Sequence, residues 1–139
     1  MVRADTKDIA RWFEIVQWLQ GSWVPEIVLV LAQGPTRFQD LSRAIRAQNT
    51  DRWWFTRTSQ LSNSQLSRTL HAMDRDELIL RHEDRTRVPI TVTYELSPLL
   101  LDFLTGPIGP GADWLRHHDN TIERIRERHR QRRDDHSEK

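Results

Sequence analysis

The sequence contains no cysteine. That absence removes disulfide staples, thiol redox switches and cysteine-ligated zinc in one step, so any regulatory input must use other chemistry. Charge of one sign is also lacking. The formal net charge is +1, and a nucleic-acid partner can be argued only from where the charges lie. No apolar run approaches the roughly 18 residues of a membrane span, and the opening MVRADTKDIARWF has no apolar signal core. These two absences point to a cytoplasmic protein with no membrane partner. No glycine-rich phosphate loop or nucleophile–base pairing stands out, so no enzymatic activity and no cofactor are expected. His117, His118 and Asp119 look ligand-like, but successive helical side chains diverge by about 100°, and a shared metal is not expected there. With 139 residues the chain is long enough to bury a core. One domain over residues 1–130 is expected, followed by a charged, disordered tail over 131–139.

The stretch that organises the rest is LSNSQLSRTLHAMDR, Leu61 to Arg75. Ser62 is a good N-cap, Gln65 three residues on completes a capping box, and Leu61 with Leu66 forms a hydrophobic staple. Leu66, Leu70 and Met73 recur at helical spacing, while Ser64, Arg68, His71 and Arg75 fall on the other side. One face is core and the other is polar. Asn63, Ser64, Gln65, Ser67 and Arg68 crowd the N-terminal half, with side chains of the kind that hydrogen-bond base edges and phosphates in a major groove. A solvated amphipathic helix would carry the same pattern, so the neighbouring elements must decide.

In chain order, Asp5 caps a helix whose apolar face is Ile9, Trp12, Phe13, Val16 and Leu19, with Gly21 as its stop. So aromatic a face must cover something, either its own core or a second subunit. Ser22 precedes a second helix from about Trp23 to Gln33, apolar nearly all round through Ile27–Leu31 and therefore central to the core. Gly34-Pro35 ends it. Thr36 with Gln39 is a second capping-box pattern, predicted to open a third helix bearing Phe38, Leu41 and Ile45. Gln48–Gln60 has no helical period and sets Trp53, Trp54 and Phe55 side by side. Burying one such ring stabilises by about 2–3 kcal/mol, so the segment either pins itself to the domain or lines a partner or ligand site.

Beyond Arg75, Leu78–Arg81 is a short apolar run. Pro89–Leu96 alternates Ile90, Val92, Tyr94 and Leu96 with polar residues. Together they predict a β-hairpin with a charged tip, where Arg85 and Arg87, with Arg81 at the base, can grip phosphate or simply meet water beside Glu83 and Asp84. Ser97-Pro98 restarts a helix through Leu104. The run Gly106–Gly111 breaks it, and a last helix is predicted from about Ala112, with Leu115, His118, Ile122 and Ile125 as a seam against another helix.

Three helices, the third polar-faced, followed by a two-stranded hairpin with arginines at its tip is the element order of a winged helix-turn-helix domain. The expected class is α+β, mainly α, with N- and C-terminal helices flanking the winged helix. At this point the chain resembles the HxlR-type relatives of the MarR regulators. The resemblance rests on Gly21-Ser22-Trp23, the run Gly34 to Leu41, Leu61-Ser62 with Leu66, Leu70 and Met73, Leu78–Arg81, Val88-Pro89 with Val92, Tyr94 and Leu96-Ser97, and Trp114. It spans roughly Gln20 to His118. It departs from the family at Ser22, where lysine is usual, at Glu77, where glycine is usual, and in the long connection that holds Trp53, Trp54 and Phe55. The resemblance implies a bacterial transcription regulator that pairs through its terminal helices and binds a palindromic operator in double-stranded DNA, nucleoid-associated when bound.

On this reading Asn63, Ser64, Gln65, Ser67 and Arg68 contact bases or phosphates, with His71 at the edge. Arg81, Arg85 and Arg87 hold backbone, and Arg37 either holds phosphate or pairs with an acidic neighbour. A hydrophobic or aromatic small-molecule effector would sit against Trp12, Phe13, Trp53, Trp54 and Phe55. The rival from another class is a winged-helix protein-interaction module with no DNA target, which the near-neutral charge would allow.

Overall fold

The computed structural model describes residues 5–47 and 61–138. They form two compact units, one running through Ser97 and the other from Pro98. The change from one unit to the other falls at Ser97–Pro98.

In the first unit, α1 (Thr6–Leu19) is capped by Asp5, whose carboxylate accepts from the Lys7 N–H at 2.8 Å. No residue of α1 is buried. Its expected apolar face is in place but lies open, with Phe13 64% exposed. Then α2 (Val24–Leu31) starts one residue later than the sequence implies and has no side-chain cap, because the indole of Trp23 at the cap position offers no acceptor; Trp23 itself adopts φ 67°. Pro25 sits in its first turn, where no intrahelical N–H bond is lost. Ile27 and Leu31 enter the core as anticipated, and so does Glu26, at 0% exposure. The apolar pattern concealed that buried carboxylate.

The Thr36/Gln39 capping box does not form. Thr36 and Arg37 make a short strand, β1, opposite Tyr94 and Thr93, and the Thr36 hydroxyl donates to the Gly34 carbonyl at 3.0 Å. With its hydroxyl and backbone so engaged, Thr36 cannot cap. Accordingly α3 (Phe38–Ala47) begins after it and buries Leu41, Ser42 and Ile45. The next described helix is α4 (Asn63–Arg75), with Leu66, Leu70 and Met73 buried as the spacing requires. Burying each such side chain stabilises by about 1.5–3 kcal/mol.

The hairpin pairs β2 (Ile79–Asp84) with β3 (Thr91–Leu96) in an antiparallel register from Ile79 opposite Leu96 to Asp84 opposite Thr91. β3 is the centre of the three-stranded order β1-β3-β2. Tyr94 and Leu96 point into the core, but Ile90, expected on the same strand face, precedes β3 and is 55% exposed. The wing tip thus carries more apolar surface than alternation implies.

The second unit is helical. Pro98 opens α5 (Pro98–Thr105) as its type predicts, and Leu100 is buried. The glycine–proline run interrupts the helix for only two residues. Pro110 lies in the first turn of α6 (Ile108–His117), where it costs no hydrogen bond, so the helix starts four residues before Ala112. A second break at His118 separates α6 from α7 (Asp119–Ser137) and divides the expected Leu115–Ile125 seam. α7 stays helical to Ser137, through the segment expected to be a disordered tail. Its Arg126–Glu123 (3.1 Å) and Arg130–Glu127 (3.2 Å) pairs support it at helical spacing. Among the described residues no helix is long and apolar enough to cross a membrane.

Candidate nucleic-acid interface

The candidate interface is built on the start of α4. The Gln65 N–H donates to Ser62 Oγ at 3.2 Å and the Ser62 N–H donates to Gln65 Oε1 at 3.0 Å, completing the capping box. Leu61 is buried alongside Leu66. Ser64, Arg68, His71 and Arg75 are exposed on the outer side, while Gln65 and Ser67 are half-buried. Arg68 Nε turns back toward the Ser64 carbonyl at 3.5 Å.

Asn63 is placed differently from its helical neighbours. Its Oδ1 accepts from Ser42 at 3.4 Å and from Arg46 at 3.5 Å, so the side-chain carbonyl faces α3. Arg46 also donates to the Leu61 carbonyl, at 3.0 Å from Nη2 and 3.3 Å from Nε. Neither Arg46 nor Ser42 stands out in the sequence as an α4 contact. The available signal was their i, i+4 spacing on α3, which is too common to be read alone. On the far side, the Thr69 hydroxyl donates to the Gln65 carbonyl at 2.9 Å and lies 3.3 Å from the Ser22 carbonyl.

At α4's other end, Glu77 has φ 61°. The Leu78 N–H donates to the Met73 carbonyl at 2.9 Å and the Glu77 N–H to the Asp74 carbonyl at 3.1 Å. This is a Schellman stop with glutamate where glycine would be unstrained. The wing follows immediately, its direction set by that left-handed residue.

The wing arginines are already paired. Arg85 Nη2 lies 3.0 Å from Glu83 Oε2, Arg81 bonds the other Glu83 oxygen, and Arg87 lies 3.6 Å from Asp84. Bonds from Arg81, then Arg85, hold the Glu83 carboxyl below the usual carboxylate range. The Arg81 guanidinium is raised chiefly by Glu83, then by Tyr94 opposite it. Asp84 is lowered by bonds from the Thr86 hydroxyl and N–H. Val88, 98% exposed, projects from the tip. Arg37 pairs with Asp40 at 3.5 Å, the acidic-neighbour alternative.

Of the five expected effector residues, the structure describes two. Trp12 and Phe13 lie exposed on α1, and Trp53, Trp54 and Phe55 fall outside the described residues. A different cleft, of about 470 Å³, lies between Trp18–Val24 and the Gln65–Asp76 side of α4. His117 and His118 each direct Nδ1 to the backbone carbonyl four residues back, and His118 stacks on Trp114 at 4.1 Å. Among the described residues no group of three His, Asp or Glu is placed to hold a metal ion.

No family model matches the chain, and no curated protein does. Solved structures do. A MarR-family transcriptional regulator from Enterococcus faecalis V583 is 21% identical over 86% of this chain and 96% of its own, with a TM-score of 0.57. The transcriptional regulator ytfH from Salmonella typhimurium is 24% identical, covering 82% and 88%, at 0.51. YodB from B. subtilis, in its diamide-treated form, is 19% identical, covering 84% and 96%, at 0.53. The fold is the winged-helix fold of these regulators.

Proposed function

We propose that the chain is a sequence-specific DNA-binding transcriptional regulator of HxlR type that acts as a homodimer on a palindromic operator. The observation that carries this reading is the sequel of a doubly capped helix with an exposed Ser64–Arg68–His71–Arg75 face and, directly behind it, an arginine-bearing hairpin. In that arrangement α4 enters the major groove, and the wing reaches backbone or the adjacent minor groove. Ser64, Gln65, Ser67 and Arg68 contact bases or phosphates. Arg81, Arg85 and Arg87 exchange carboxylate partners for phosphate oxygens. Pairing through terminal helices is supported by the open aromatic face of α1. Selection of bound sequences from a random duplex pool tests the reading, because a dimeric reader enriches inverted half-sites at a fixed spacing near one helical turn. Recovery of no common sequence at moderate salt overturns it.

A protein-interaction module is the second reading, favoured by the wing ion pairs, in which Glu83 and Asp84 offset most of the charge of Arg81, Arg85 and Arg87. Absence of any mobility shift on the selected pool would support it. Control of the regulator by a hydrophobic or aromatic effector rests on Trp12 and Phe13 standing exposed on α1. Tryptophan quenching by a panel of apolar compounds, lost on Trp12→Phe, is the expected sign.

A further inference from the structure

We propose that Arg46 is the positioning residue that sets where α4 begins, so that sequence discrimination depends on a side chain that touches no base. The inference rests on the DNA-binding reading and adds a residue to it. The Arg46 guanidinium, near the end of α3, donates twice to the Leu61 carbonyl, and Nη2 also reaches Asn63 Oδ1, which Ser42 supports. Leu61 and Asn63 flank the N-cap Ser62. Both sides of the cap are therefore held from one charged group on a neighbouring helix.

Arg46 and Leu61 lie 15 residues apart in sequence, so the contact is a tertiary one that ties the start of α4 to α3. A planar guanidinium fork on one carbonyl fixes direction as well as distance, which a lysine ammonium does not. Base-edge hydrogen bonds weaken steeply with misalignment, while phosphate attraction tolerates small shifts. Loosening the start of α4 therefore removes discrimination before it removes affinity.

The test uses the full chain, a duplex recovered by pool selection and a scrambled duplex of equal length. Arg46→Ala is expected to lower the specific-to-scrambled affinity ratio roughly tenfold, the scale of one lost base contact, with the salt slope unchanged. Arg46→Lys is expected to rescue only part of the ratio, and Asn63→Ala to produce a smaller loss of the same kind. Equal loss on both duplexes with a slope shallower by about one would make Arg46 a phosphate contact and overturn the proposal. Hydrogen exchange on the free protein tests the clamp without DNA. Arg46→Ala and Arg46→Lys are expected to raise exchange at residues 62–66 and spare residues 70–73, and unchanged protection at 62–66 overturns the proposal. Failure of the wild-type chain to discriminate the duplexes removes the DNA-binding reading and, with it, the role assigned here.

Discussion

Ser62 and Gln65 satisfy each other's backbone: each N–H donates to the other's side chain, at 3.2 Å and 3.0 Å. Gln65 thus stands both in the cap and on the surface proposed to meet DNA, and the two roles can be separated. Ser62→Ala is expected to cost about 1 kcal/mol in urea unfolding. Gln65→Glu keeps an acceptor for the Ser62 N–H and places negative charge at a helix N-terminus, which is favourable by about 0.3–1 kcal/mol. Stability should hold or rise while DNA affinity falls. Undiminished affinity would take Gln65 out of the interface.

Glu77 occupies the left-handed stop of α4 at φ 61°. A non-glycine residue there costs roughly 1–2 kcal/mol, partly offset by the extra chain entropy glycine loses on folding. Glu77→Gly is expected to stabilise by about 0.5–1 kcal/mol, read as a higher urea midpoint at unchanged slope. A lower midpoint would show that the glutamate side chain contributes more than its backbone strain costs.

The wing is held by lowered carboxylates, so its acid sensitivity has a definite sign. The Glu83 and Asp84 carboxyls lie below their ordinary values in the folded chain. The order they contribute is therefore complete above the usual carboxylate range, near pH 4, and is lost as pH falls through their lower folded values. Amide protection across residues 81–87, taken relative to the intrinsic exchange rate at each pH, should fall in that acid window before protection of the core does.

Removing the charge at Glu83 probes the same pairs at neutral pH. Glu83→Gln frees Arg81 and Arg85 from their carboxylate. DNA affinity should rise on all sequences alike, and the salt slope should steepen by about one for each phosphate gained. Arg85→Ala in the Glu83→Gln background should reverse one of those increments. A flat response to both changes removes the wing from the binding surface.

On the homodimer reading, Phe13 is a contact residue, since it stands 64% exposed on an apolar helix face. Phe13→Glu should convert the dimer to monomer in analytical ultracentrifugation, with little change in monomer stability. Operator affinity should then become steeply dependent on protein concentration. A dimer that survives the change must pair elsewhere.

What the sequence determined by itself was local. The cap at Asp5, the Ser62/Gln65 box, the Leu66–Leu70–Met73 stripe and the Pro98 start all depend on residues within a few positions of one another, whose types restrict the backbone directly. The exposed α4 face followed from the same periodicity. Tertiary structure decided what distant partners decide. Thr36 is a strand residue because Tyr94 lies beside it, and Glu26 is buried in a helix whose pattern read as apolar. The start of α4 shows both: its cap is written in four consecutive residues, but its tether to Arg46 spans 15 positions and exists only once α3 and α4 have packed. Short-range geometry is encoded in residue type, whereas a contact between helices needs the whole core to set its distance.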